Sequence, residues 1–113
     1  MTKSVLIVED EAIVAQDYKT IIEKAGFIVI GIVDTSSEAF AMAQKEKPDI
    51  ILMDINLTGE VSGIETAKII YNLYKPEIIF ITGFEEEVLV FADIQYKYLR
   101  KPIYEWNLIK ALN

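Results

Sequence analysis

Four apolar runs in this chain each stop on a side chain that can do chemistry. Val5-Leu6-Ile7-Val8 stops on Glu9-Asp10, and Ile50-Ile51-Leu52-Met53 on Asp54. Ile78-Ile79-Phe80-Ile81 stops on Thr82, and Tyr98-Leu99-Arg100 on Lys101-Pro102. Short, nearly continuous apolar runs that alternate with helical patterns read as βα units around a parallel sheet covered on both faces. In an open parallel sheet, ligands bind beyond the carboxyl ends of the strands. Three carboxylates, one hydroxyl and one ammonium are therefore expected at a single edge, a set suited to a divalent cation and a phosphoryl group.

The strands are expected at about Ser4–Val8, Phe27–Val33, Ile50–Asp54, Glu77–Thr82 and Tyr96–Arg100. Between the first two lies a helix over about Glu11–Ala25. It sets Val14, Tyr18, Ile21, Ile22 and Ala25 on one face and ends at Gly26, the residue type that favours a helix C-terminus. Thr35-Ser36-Ser37-Glu38 and Ser62-Gly63-Ile64-Glu65 are capping boxes, opening helices to about Glu46 and Tyr74. A short helix over about Glu85–Ala92 is the weakest of the set, and a last helix runs from about Tyr104 to the end. Five strands and five helices in 113 residues make one domain, 1–113, of the α/β class: a doubly wound, three-layer α/β/α sandwich. The pattern alone leaves strand order open. The expected order is 2-1-3-4-5, the flavodoxin-like one. Right-handed crossovers then put the first and last helices on one face and the others on the opposite face.

Composition narrows the chemistry. There is no Cys and no His, which removes disulfides, thiolate and imidazole catalysis and the usual zinc ligands. Any metal must be a hard one held by oxygen. A net charge of −7 disfavours a nucleic-acid backbone as partner. No run approaches the roughly 18–20 apolar residues needed to span a bilayer. The start carries no signal-peptide pattern, so a cytoplasmic setting is expected.

Glu9 and Asp10 follow a buried run, where unpaired acids are costly. The plain alternative is a solvated loop with Asp10 capping the first helix. Asp54 has a similar alternative as an end-of-strand turn residue. Strands one and three are neighbours in the expected fold, so their acids converge and repel unless a cation neutralises them. Mg²⁺, which takes oxygen ligands and keeps several waters, is the natural one. Asp54 is the expected nucleophile, since a carboxylate can attack phosphorus and form an acyl phosphate. The Lys101 ammonium can hold one phosphoryl oxygen, and the Thr82 hydroxyl another.

An acidic pair, Asp, Thr and Lys-Pro in the order Glu9-Asp10, Asp54, Thr82, Lys101-Pro102 resembles the receiver domain of two-component response regulators, over nearly the whole chain. The stretch Asp54-Ile55-Asn56-Leu57, followed by Gly63-Ile64-Glu65, resembles it too. The resemblance implies phosphorylation of Asp54 by a histidine kinase or phosphotransfer protein. It implies Mg²⁺ held by Asp10, Asp54 and the backbone carbonyl of Asn56, with Glu9 acting through a bound water. It also implies a cis Lys101–Pro102 bond and a switch in which Thr82 moves inward and Tyr98 follows. Phe84 would then lie near the approach of hydrolytic water.

The chain departs from the family pattern in four places. Glu-Asp replaces the commoner Asp-Asp, Thr58 stands where many receivers have Pro, the loop to Gly63 is one residue longer than in many, and the stretch from Thr82 to Lys101 is short. The resemblance implies Ile103, Leu108 and Ile109 as apolar anchors of the last helix, and a homodimer or target surface in the region of Phe91, Tyr98, Tyr104 and Trp106; an exposed Trp106 is either incidental or an anchor of that interface. Two other functions fit the same fold. An aspartyl-nucleophile phosphohydrolase would want a second acid where Asn56 stands. A phosphorylation-independent interaction domain would not need the full acid, Thr and Lys set. A flavin-binding protein would want a Ser/Thr/Gly-rich phosphate loop after strand one, which is lacking.

Overall fold

The structure, a computed structural model, describes residues 2–55, 63–83 and 93–113. The elements are β1 (Ser4–Val8), α1 (Ala12–Lys24), β2 (Ile28–Val33), α2 (Ser36–Glu46), β3 (Ile50–Asp54), α3 (Gly63–Tyr74), β4 (Glu77–Thr82), β5 (Lys97–Arg100) and α4 (Glu105–Leu112). The helix expected over 85–92 lies outside the described residues, as do Asn56, Thr58, Ser62, Phe84 and Phe91. All strand pairs are parallel and the order is β2-β1-β3-β4-β5, the flavodoxin-like arrangement.

The expected elements are present with ends displaced by one residue: α1 begins at Ala12, β2 at Ile28, β5 at Lys97 and α4 at Glu105. Asp10 does not cap α1. Glu11 holds the N-cap position without a side-chain bond to the helix. At the other end, Gly26 adopts φ +95°, its N–H donates to Glu23 O at 3.0 Å and that of Phe27 to Ile22 O at 3.2 Å. This is the paired bonding that a left-handed residue after a helix makes available, and a Cβ there would be strained. At the start of α2, Thr35 Oγ1 accepts from Glu38 N at 3.2 Å and donates to Glu38 Oε1 at 3.0 Å.

Every residue of β3 is buried, because β3 has a strand on each side and helices above and below. Side chains alternate between the faces. Val5, Ile7, Leu52 and Ile79 meet Ala15 and Ile22 of α1 and Leu108 and Leu112 of α4. Leu6, Val8, Met53 and Phe80 meet Ala39 and Ala43 of α2 and Ala67 and Ile70 of α3. Each buried Leu, Ile or Phe contributes about 1.5–3 kcal/mol over leaving it in water, so the two-sided core fixes which way each strand faces.

Register is set at the far edge. Ser4 N and Oγ donate to Asp49 Oδ2 at 2.8 and 3.3 Å, and Asp49 N donates back to Ser4 Oγ at 3.1 Å. This clamp ties the starts of β1 and β3 together. The ladder that follows runs from Val5 opposite Ile50 to Val8 opposite Met53, which brings Glu9 level with Asp54.

Candidate functional site

The backbone stays tied just past the strand ends. Glu9 N donates to Val33 O at 3.0 Å, Ile55 N to Ile81 O at 3.2 Å and Lys101 N to Thr82 O at 2.7 Å. The four chemical positions therefore sit on hydrogen-bonded backbone, and only side-chain torsions remain to be set. The Lys101–Pro102 peptide bond is cis, as the resemblance implies.

Carboxylate oxygens of Glu9, Asp10 and Asp54 all lie within 4.8 Å of one another. Lys101 Nζ is 3.4 Å from Asp54 Oδ2. Asp54 is 2 % exposed and Thr82 fully buried, while Lys101 is partly open to solvent. The burial of the acidic pair is uneven: Glu9 is 2 % exposed and Asp10 is exposed. Glu9 Oε1 accepts from Glu11 N at 3.1 Å, and Glu9 Oε2 is buried with no hydrogen-bond partner among the described residues. A buried carboxylate oxygen without a donor is costly. An all-oxygen, net negative donor set around it suits a small hard cation, and Mg²⁺ fits these residues.

Burial, and next the neighbouring Asp54, push the Glu9 carboxyl up from 4.5 to about 8, against the lowering effect of the Glu11 N–H and Lys101. The folded metal-free chain therefore holds a proton that the unfolded chain gives up near pH 4.5. The stability this contributes is complete below that pH and is lost as pH rises toward 8. The melting midpoint of EDTA-treated protein is expected to fall between pH 5.5 and 8, with a shallower slope in Glu9→Gln and in saturating Mg²⁺. A midpoint that climbs over that range in EDTA rules this out.

Tyr98 is half-buried on β5 against the Phe80 side of the core, opposite Phe80 in the ladder. Tyr104 and Trp106 are 59 % and 66 % exposed; Leu108 and Leu112 are buried in the core with Ile103 packed against it, whereas Ile109 is only half-buried and the second anchor of α4 is Leu112. Two features were not read from sequence. Tyr18 of α1 is buried near the acids, and its phenol is pushed up by burial and then by Glu9 and Asp54. Gly63 packs directly over the backbone of Asp54. A Tyr at helical spacing reads simply as core, and Gly63 reads as part of a capping box and of the family pattern, neither of which shows this contact.

Residues 5–113 match the family described as the response regulator receiver domain. The phyllosphere-induced regulator PhyR of Methylorubrum extorquens is 36 % identical over 90 residues, which cover 79 % of this chain and 34 % of that protein. The transcriptional regulatory protein BtsR of Escherichia coli is 30 % identical over 110 residues, 96 % of this chain and 46 % of that protein. The chain thus spans less than half the length of these curated relatives. Among solved structures, the signal receiver domain of a modulated diguanylate cyclase from Desulfovibrio desulfuricans superposes with a TM-score of 0.88 at 32 % identity, covering 99 % of this chain and 91 % of that one. Fold, strand order and ordered sequence agree with these matches, and the chain belongs to the response regulator receiver family.

Proposed function

We propose that this domain accepts a phosphoryl group on Asp54 from the phosphohistidine of a histidine kinase or phosphotransfer protein, in the cytoplasm, and that the modified form binds a partner differently. The observation that carries this reading is the Lys101 ammonium 3.4 Å from a buried Asp54 carboxylate, beside two further acids. In the transfer, an Asp54 carboxylate oxygen forms a bond to phosphorus as the phosphorus–nitrogen bond breaks. The imidazole leaves with the bonding pair and takes a proton from solvent. Glu9, Asp10 and Asp54 would hold Mg²⁺. The Asn56 carbonyl, implied as a further ligand, lies outside the described residues. Bound there, Mg²⁺ neutralises the acids and polarises a phosphoryl oxygen. Lys101 holds a second oxygen, and the Thr82 hydroxyl takes the third and reports it to Tyr98 across the β4–β5 ladder.

The domain acts as a phosphoacceptor that assists its own modification. Asn56 stands where an aspartyl phosphohydrolase would want its proton donor, which counts against turnover of outside substrates. Intact mass after incubation with a small acyl phosphate tests the reading. One phosphoryl group is expected with Mg²⁺ and none with EDTA, and an unmodified mass in both would overturn it.

The exposed Tyr104 and Trp106 at the start of α4 and the half-buried Tyr98 on β5 support output through the region of β5 and α4, in a homodimer or against a target. A beryllofluoride adduct should sediment as a heavier species or bind its target more tightly, and Trp106→Ala should weaken that change. An adduct that behaves as the unmodified protein in both respects excludes this face.

A further inference from the structure

Gly63 is the first residue of α3 and is buried. A Cβ built on it would lie 2.5 Å from the carbonyl oxygen of Asp54 and 2.7 Å from Ile55 Cα. Both are backbone atoms, so no side chain can swing aside. The oxygen contact falls about 0.9 Å short of an ordinary one. Gly63 needs no unusual φ here, so what it supplies is the absence of a methyl group.

Neither partner in this contact is free to yield. The Asp54–Ile55 peptide is held to β4 by Ile55 N donating to Ile81 O. Helix α3 is held to the sheet by Ala67 and Ile70, both fully buried. The start of α3 thus lies like a stop on the peptide that carries the phosphoacceptor. We propose that Gly63 is a positioning residue for phosphoryl transfer: by letting α3 seat on the Asp54–Ile55 peptide, it sets the height at which the Asp54 carboxylate meets Lys101 and the neighbouring acids. This deepens the phosphoacceptor reading and rests on it. A displacement of about 1 Å in a reacting group can cost on the order of a hundredfold in rate, so a single methyl here is enough to matter.

The test compares Gly63→Ala with Ala67→Gly, which weakens the same helix one turn on without touching the Asp54 peptide. Melting midpoints and rates of phosphoryl incorporation from a small acyl phosphate are measured in saturating Mg²⁺. Both variants should melt lower than the parent, but only Gly63→Ala should lose rate, by about a hundredfold at saturating donor. A folded Gly63→Ala within about threefold of the parent overturns the proposal, as does an equal loss in Ala67→Gly. If Gly63→Ala is unfolded in buffer, the comparison is repeated in trimethylamine N-oxide, which favours the folded state through exclusion from the protein surface. A refolded variant at the parental rate overturns the proposal, and so does a chain that stays unfolded, since the close approach then serves the fold alone. A parent that takes no phosphoryl group overturns the phosphoacceptor reading instead.

Discussion

Asp54→Asn is expected to take no phosphoryl group under conditions where the parent gains one, a loss limited only by detection. The amide keeps the shape of the carboxylate, so the buried site at the end of β3 should still fill and the fold persist. What is lost is the anionic oxygen that attacks phosphorus. The adduct on the parent should be labile in base, as acyl phosphates are. Label surviving in Asp54→Asn, or an alkali-stable adduct, would move the acceptor elsewhere. The same variant has a second consequence. Asp54 is among the causes that raise the Glu9 carboxyl, after burial. Removing its charge should therefore flatten part, not all, of the pH dependence of metal-free stability, because the burial of Glu9 remains.

Lys101→Ala should produce the next largest effect, in two measurements that separate by metal. Lys101 Nζ lies 3.4 Å from Asp54 Oδ2, and its side chain keeps 34 % of its exposure. A unit pair at about 4 Å is worth roughly 4 kcal/mol at an effective dielectric near 20. Solvent on the lysine side reduces this to about 2 kcal/mol. Metal-free Lys101→Ala should lose stability of that order, since the acids lose a counter-charge, and Mg²⁺ should recover much of it. Phosphoryl incorporation should fall about 10²- to 10³-fold even in Mg²⁺, the usual cost of removing one donor from developing negative charge. Thr82→Ala should be phosphorylated and respond less. Equal loss of incorporation in the two variants would contradict this division of labour.

The elements of this fold were legible in the chain because their signals are local. β1, β3 and β4 are continuous apolar runs bounded by polar residues. α1 ends at a glycine and α2 starts at Thr35 with Glu38 three residues on. Displaced ends such as Ala12 for Glu11 and Lys97 for Tyr96 follow from pairing and capping that no single residue dictates. The reactive strand ends were legible for the same reason, and their ordered spacing carried the family resemblance.

Sequence alone determined which residues could do chemistry and that they end strands, because periodicity and residue type are properties of short segments. Tertiary structure decided what those residues do to one another. Strand order rests on pairings such as Ser4 with Asp49, 45 positions apart, and the counter-charge on Asp54 comes from Lys101, 47 positions on. Glu9 and Asp10 are adjacent acids with equal charge. Yet packing buries Glu9, leaves one of its oxygens without a partner among the described residues and holds Asp10 in solvent. Gly63 belongs in sequence to a capping box and to the family pattern, but its contact with the Asp54 peptide exists only once α3 is laid there. Desolvation, Coulomb energy and steric contact all depend on distances between segments remote in sequence, and those distances exist only once the chain has folded.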